Sequence, residues 1–258
     1  MSSKTLQNSI EFMLYTNFGI DFEDGKTDKI LDVAIDKAYN DATMQGAYNA
    51  LNKSGETPDL SSIKNEMHKR IKKLLSPNPY FNDYSDWHKK ICSYLTGAYE
   101  NVKLDKTDDH AFTYGNAQKW VNMTMKYLYI LAEIFHEYVD KYAHECDFDQ
   151  HFNRIQELYK DLHVPVDSYI IEAVWDDSKQ REGIPYKTDK LTKKTDDDGN
   201  RIPGAYSSDK YISWSNWENG KDDRQYEKFQ DLINKNEENP LDWEHREWIR
   251  IAKKRKNQ

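Results

Sequence analysis

Apolar residues recur at helical spacing through most of this chain. Ile30, Val33, Ala34, Lys37 and Ala38 share one face, which predicts a helix over residues 28–44. Asp59 precedes a second run as its cap. Ile63, Met67, Ile71 and Leu74 then form the stripe of a helix ending near Leu75, where Pro77 and Pro79 stop it. Trp87, Ile91, Tyr94, Leu95 and Ala98 mark a third helix over 83–99, and residues 103–109 form a polar connector. The longest predicted helix runs from Gly115 to about Tyr142. Its stretch 120–134 is apolar on nearly every side, as expected of a central, buried helix. Residues 148–162 read as an amphipathic helix and 166–175 as a short apolar one entered through Pro165. Helices over 222–234 and 240–254 close the chain, with Trp243 and Trp248 expected to pack inward.

Residues 176–210 break this pattern. They are rich in Lys, Asp, Gly and Thr and read as a long polar loop, with a small hairpin around Asp198-Gly199. No strand-like run is long enough for a central sheet. The expectation is one all-α domain over residues 1–258, two helical halves meeting around the long central helix with a cleft between them.

Composition narrows the function classes. With 258 residues the chain can bury a sizeable core, and 18 Tyr and 7 Trp argue against disorder despite 32% charged residues. The formal net charge of −8 opposes nucleic-acid binding overall, but local distribution matters more than the sum. Residues 64–73 carry five Lys or Arg against Glu66 alone. Residues 250–256 carry five with no acid. Two cysteines, Cys92 and Cys146, imply neither a disulfide framework nor a zinc site and fit a cytoplasmic protein. The first residues lack the apolar core of a signal peptide, and no run is long enough to span a membrane.

Two short motifs carry the candidate chemistry. Gly115-Asn116-Ala117-Gln118-Lys119 opens the long helix and places a lysine in its expected first turn. His163-Val164-Pro165-Val166-Asp167 places an aspartate directly after an X-Pro turn. Over residues 111–175, about a quarter of the chain, this pairing resembles the helix–hairpin–helix DNA glycosylases of the 8-oxoguanine type. Gln118-Lys119 followed by Lys126-Tyr127-Leu128 is similar to divergent bacterial members. Val164-Pro165-Val166-Asp167 matches the family's aspartate segment. The hairpin at 111–115 departs from its pattern, with Ala117 in place of a second glycine.

The resemblance implies an all-α, helix–hairpin–helix-like bundle, a DNA partner, and base excision with or without strand cleavage. Lys119 would be the Schiff-base nucleophile and Asp167 the acid/base and charge stabiliser, with no metal or organic cofactor. Tyr114, Gly115, Gln118 and Asn122 are the candidate substrate-binding residues. Lys126 is the alternative nucleophile. Read without the resemblance, Asp167 is equally a helix N-cap and Lys119 a snorkelling helix lysine. The rival function is a non-catalytic helical module that binds nucleic acid or protein, for instance in phage–host conflict. The enzyme reading expects Lys119 and Asp167 in one cleft, roughly 3 to 8 Å apart. Glu133-Ile134-Phe135-His136 is a single ExxH, short of a di-iron set. Asp196 to Asn200 lacks the closing glutamate of a calcium loop.

Overall fold

The computed structural model describes residues 3–43, 58–76, 83–102, 112–138, 147–176, 193–195, 201–206, 214, 223–236 and 239–257. The architecture is helical. In chain order it runs α1 (Ser3–Phe18), α2 (Thr27–Thr43), α3 (Leu60–Leu74), α4 (Tyr84–Ala98), α5 (Tyr114–Tyr138), α6 (Phe152–Leu158), α7 (Ser168–Asp176), α8 (Asp223–Asn236) and α9 (Pro240–Lys256), with 3-10 turns at Phe22–Asp24 and Phe148–His151. A short antiparallel ribbon pairs β1 (Lys193–Thr195) with β2 (Arg201–Tyr206). It flanks the expected Asp198-Gly199 turn, which itself lies outside the described residues. No described helix is long and apolar enough to cross a membrane.

Side-chain caps set several boundaries. Asp59 and Asp83 accept hydrogen bonds from the first-turn amides of α3 and α4, and Asn239 does so for α9 with Pro240 at its first position. Helix α1 was not expected. Its apolar residues are spread around the helix: Ile10, Leu14 and Phe18 face the core while Leu6, Phe12, Met13 and Tyr15 are exposed. The segment 148–162 is a 3-10 turn followed by the short α6, not one helix. Its last residues run on as irregular chain toward Pro165.

Helix α5 is the axis. It packs against α2, α4 and α6, and buried residues lie on all its sides through Ala132. The Trp120 indole donates to the Ile35 carbonyl of α2 at 3.2 Å, pinning the two helices together. Trp87, Ile91 and Leu95 of α4 and Ile30, Ala34 and Ala38 of α2 join the same core. Each fully buried side chain of this size contributes about 1.5–3 kcal/mol of transfer free energy, so this central packing fixes where α5 presents its polar groups.

Candidate functional site

Helix α5 begins at Tyr114, one residue earlier than its sequence suggests. Thr113 and Asn116 cap it reciprocally: the Asn116 amide donates to the Thr113 hydroxyl at 3.3 Å, and the Thr113 amide to Asn116 Oδ1 at 3.4 Å. Gly115 is therefore already helical and buried, not part of a turn. Lys119 is the sixth residue of the helix and sits in its second turn, not the first. The helix macrodipole fades within the first turn, so another cause must set the state of this amine.

Burial is that cause. Lys119 is 4% exposed, and desolvation pulls its pKa below that of a free lysine, opposed by the nearby Asp167 carboxylate and assisted by Lys126. The Lys119 amine lies 3.8 Å from Asp167 Oδ2, within the expected range. It also lies 4.5 Å from the ring centre of Trp214, which covers it. At 3.8 Å the pair is an ion pair without a short hydrogen bond.

Asp167 divides its two oxygens. Oδ1 accepts from the Tyr169 and Ile170 amides at 2.8 and 3.0 Å and caps α7. Oδ2 faces Lys119 and accepts from the Trp248 indole at 3.4 Å. The helix-cap and lysine-partner roles are thus both filled, by different atoms of one carboxylate. Trp248 does not pack inward as expected. It is 39% exposed and stacks on Tyr169 with ring centres 4.9 Å apart, because Asp167 and α7 hold it at the surface.

Lys126 follows Lys119 by seven residues, on nearly the same face of α5. Glu244 of α9 clamps it through both oxygens at 2.9 and 2.8 Å. Burial raises the Glu244 pKa, opposed mainly by Lys126. Beside them the Tyr127 hydroxyl donates to Asp41 of α2. Two lysines and three carboxylates from α2, α5, α9 and the start of α7 therefore share one region. Glu244 had not been singled out in the sequence. Its spacing from Leu241 and Ile251, both fully buried, places it on the inward face of α9 and is the signal that marks it.

The other candidates face a different environment. Gln118 and Asn122 are fully buried. The Asn122 amide nitrogen, with two N–H groups to donate, lies 2.9–3.0 Å from Gln118 Oε1, the Val164 carbonyl and the Tyr226 hydroxyl, and its Oδ1 lies 2.8 Å from His88 Nε2. The carbonyl partner fixes the amide's orientation, so His88 donates to Oδ1. His163 Nδ1 lies 2.8 Å from the Tyr226 hydroxyl. Gln230 grips the Val164 backbone, accepting from its amide and donating to its carbonyl, each at 2.9 Å. Burial lowers the pKa of His88 to about 4 and that of His163 well below the ordinary range. A cavity of about 210 Å³ adjoins this network, lined by Tyr114, His88, His163, Tyr226 and Gln230 among others. The Gln118 side-chain nitrogen is buried with no hydrogen-bond partner among the described residues.

His136 stacks on Phe152 with ring centres 3.7 Å apart, and Glu133 accepts from Gln156, so the ExxH pair is engaged in packing. No group of three or more metal-binding side chains gathers among the described residues. Of the basic segments, Lys64 and Lys72 of α3 pair with Asp36 and Asp28 of α2, and Arg70 pairs with Glu66 within α3. On α9, Lys254 and Arg255 pair with Glu172 of α7, while Lys253 and Lys256 are exposed. Comparison with protein-family models, curated proteins and solved structures yields no match.

Proposed function

We propose that this chain is a DNA base-excision enzyme that forms a Schiff base through Lys119, with Asp167 stabilising charge, on a helix–hairpin–helix-like all-α frame. The observation that carries this reading is the buried Lys119 amine 3.8 Å from the Asp167 carboxylate. A neutral amine is the nucleophile such chemistry needs, and burial moves Lys119 toward that form.

In the reaction the Lys119 nitrogen attacks the sugar C1′. The glycosidic C–N bond breaks and the base leaves with that electron pair, taking up a proton that the attacking nitrogen releases. The nitrogen lone pair then forms the C1′=N bond as the C1′–O4′ bond breaks, O4′ keeps that bond's electron pair and takes the remaining nitrogen proton, and water hydrolyses the imine to return the lysine. Positive charge builds on the sugar during bond cleavage, and Asp167 Oδ2 stands where an anion offsets it. Trp214 must move for a sugar to reach the amine. The exposed Trp248, Lys253 and Lys256 of α9 offer the adjoining duplex an aromatic and a cationic surface.

The deciding experiment is borohydride trapping on a panel of oligonucleotides bearing damaged and modified bases. Wild type should form a covalent adduct with at least one, and Lys119→Gln with none. The near-complete cover of Lys119 favours a second reading, a non-catalytic module in which Lys119–Asp167 is a structural ion pair. Absence of trapping across the whole panel would select it.

A further inference from the structure

We propose that the cavity beside the Asn122 network is a binding site for a small neutral amide or lactam, whose carbonyl accepts from His163 Nε2–H and whose own N–H donates to Asp231. Neither Lys119 nor Asp167 lines this cavity, so the site stands whether or not that pair is catalytic.

The proton positions follow from the partners. Asn122 turns its Oδ1 toward His88, so His88 Nε2 carries a hydrogen. The Tyr226 hydroxyl meets three nitrogens: Asn122 Nδ2 at 2.9 Å, His88 Nε2 at 3.2 Å and His163 Nδ1 at 2.8 Å. The first two carry hydrogens. Of the three, His163 Nδ1 alone can accept the phenol proton, and it is the nearest. Burial favours the neutral imidazole, which then has its own hydrogen on Nε2. That N–H meets no acceptor among the described residues. His163 is 7% exposed, and a buried donor without an acceptor is unfavourable.

The cavity is the space from which an acceptor can reach this donor. His163 and Tyr226, both buried, line its inner wall. Lys89, Glu227 and Asp231 line its outer edge. Lys89 pairs with Glu227, which offsets both charges and leaves the exposed Asp231 carboxylate as the outer acceptor. A donor inside and an acceptor outside select a ligand with the reverse order, oxygen inward and N–H outward. A free anion would instead meet two carboxylates at the mouth. About 210 Å³ is room for several waters or one molecule of a few heavy atoms. The wall is neutral and closely bonded, which suits recognition without chemistry.

The test uses three five-membered rings: 2-pyrrolidinone carries both groups, cyclopentanone the carbonyl alone and pyrrolidinium the N–H alone. Protein labelled with ¹⁵N-histidine is titrated with each and followed by NMR, with His163→Phe identifying the His163 signals. If that variant does not fold, Tyr226→Phe, which removes the Nδ1 partner, identifies them instead. Wild type should show His163 as the Nε2–H tautomer. 2-Pyrrolidinone should move its Nε2 resonance saturably, with a midpoint on the order of millimolar. Cyclopentanone should bind about fivefold or more weakly, and pyrrolidinium should leave the resonance in place. Asp231→Leu should weaken 2-pyrrolidinone by a similar factor and cyclopentanone little, while Asp231→Asn, which keeps an acceptor oxygen, should restore most of the binding. An Nδ1–H tautomer, no saturable shift with 2-pyrrolidinone, or equal binding of 2-pyrrolidinone and cyclopentanone would overturn the proposal.

Discussion

Helix α5 carries two buried polar systems that solve the same problem in opposite ways. Around Asn122 the groups are neutral and closely bonded, with His88, His163, Tyr226, Gln230 and the Val164 peptide meeting at 2.8–3.2 Å. Around Lys119 the groups are charged, and the central contact is long, 3.8 Å. A closely bonded neutral network gives rigidity and little reactivity. A buried amine with a distant counter-ion holds its proton less firmly than a free lysine does. The closely spaced system joins α4, α5, α8 and the 163–166 segment, and so holds Asp167, three residues beyond Val164, at its place opposite Lys119. Function is expected on the loosely paired side and stability on the neutral one.

The sharpest way to break this contrast is to alter each side and follow covalent chemistry. Lys119→Gln should abolish borohydride trapping altogether. Asp167→Asn retains a helix-capping oxygen, so the fold should persist. It removes the charge that most raises the Lys119 pKa, so the amine becomes neutral at lower pH. Excision should nevertheless slow by about 10²–10³-fold if the carboxylate acts on transition-state charge. Single-turnover rates across pH separate the two effects. Unchanged excision by Asp167→Asn would leave the carboxylate as a cap alone.

Stability should respond next most strongly. Lys126→Met strands Glu244, which is 2% exposed, and should cost about 3–5 kcal/mol at neutral pH in denaturant unfolding. The stranded carboxyl has a folded-state pKa above its unfolded one. The folded form therefore binds the extra proton, and the deficit should shrink as pH falls toward the acid range. A deficit independent of pH would mean that lost packing, not an unpaired charge, is the cause.

The neutral side makes the opposite demand on pH. The His88 pKa falls from an ordinary value of 6.5 to about 4 in the folded protein. Between those values the unfolded chain binds a proton that the folded one refuses. Its contribution is complete above pH 6.5 and is lost on acidification toward pH 4, an effect of roughly 3 kcal/mol. His163 acts in the same direction. Urea midpoints measured between pH 4 and 7 should fall steeply with acid in wild type and less so in His88→Gln. Equal slopes would show that His88 does not hold its neutral form in the fold.

How much of this was legible follows from which interactions are local. Helices α3 and α4 were readable because a stripe and a capping aspartate lie within one segment, as with Ile63, Met67, Ile71 and Asp59, and α2 through its stripe alone, since the carboxylate on its first amide is the distant Asp147. The pairing of Lys119 with Asp167 was readable only through the family resemblance, since 48 residues separate them. The clamp on Lys126 joins residues 118 apart, and nothing near Lys126 announces it. Asn122 reads as a polar residue between two lysines. Its role appears only when Val164 and Tyr226 arrive from distant segments. The start of α5 was misplaced by one residue because Thr113 and Asn116 cap it through a reciprocal bond that a glycine-centred reading overlooks.

The smallest effect concerns how the charged side meets DNA. Helix α9 runs past Asp167, to which it lends the Trp248 indole, and its Lys253 and Lys256 are exposed. On α3, Lys64 and Lys72 are spent on Asp36 and Asp28 of α2. Exposed cations neutralise phosphates at no cost in broken ion pairs, whereas paired ones must first give up a partner. Lys253→Gln and Lys256→Gln should therefore each weaken duplex binding modestly and equally for all sequences. Each should also flatten the dependence of log K on log salt by roughly one unit. Lys64→Gln should change neither. If the α3 variant weakens binding and the α9 variants do not, the duplex lies across the α2–α3 face, and the aromatic and cationic surface beside Asp167 is not where DNA is held.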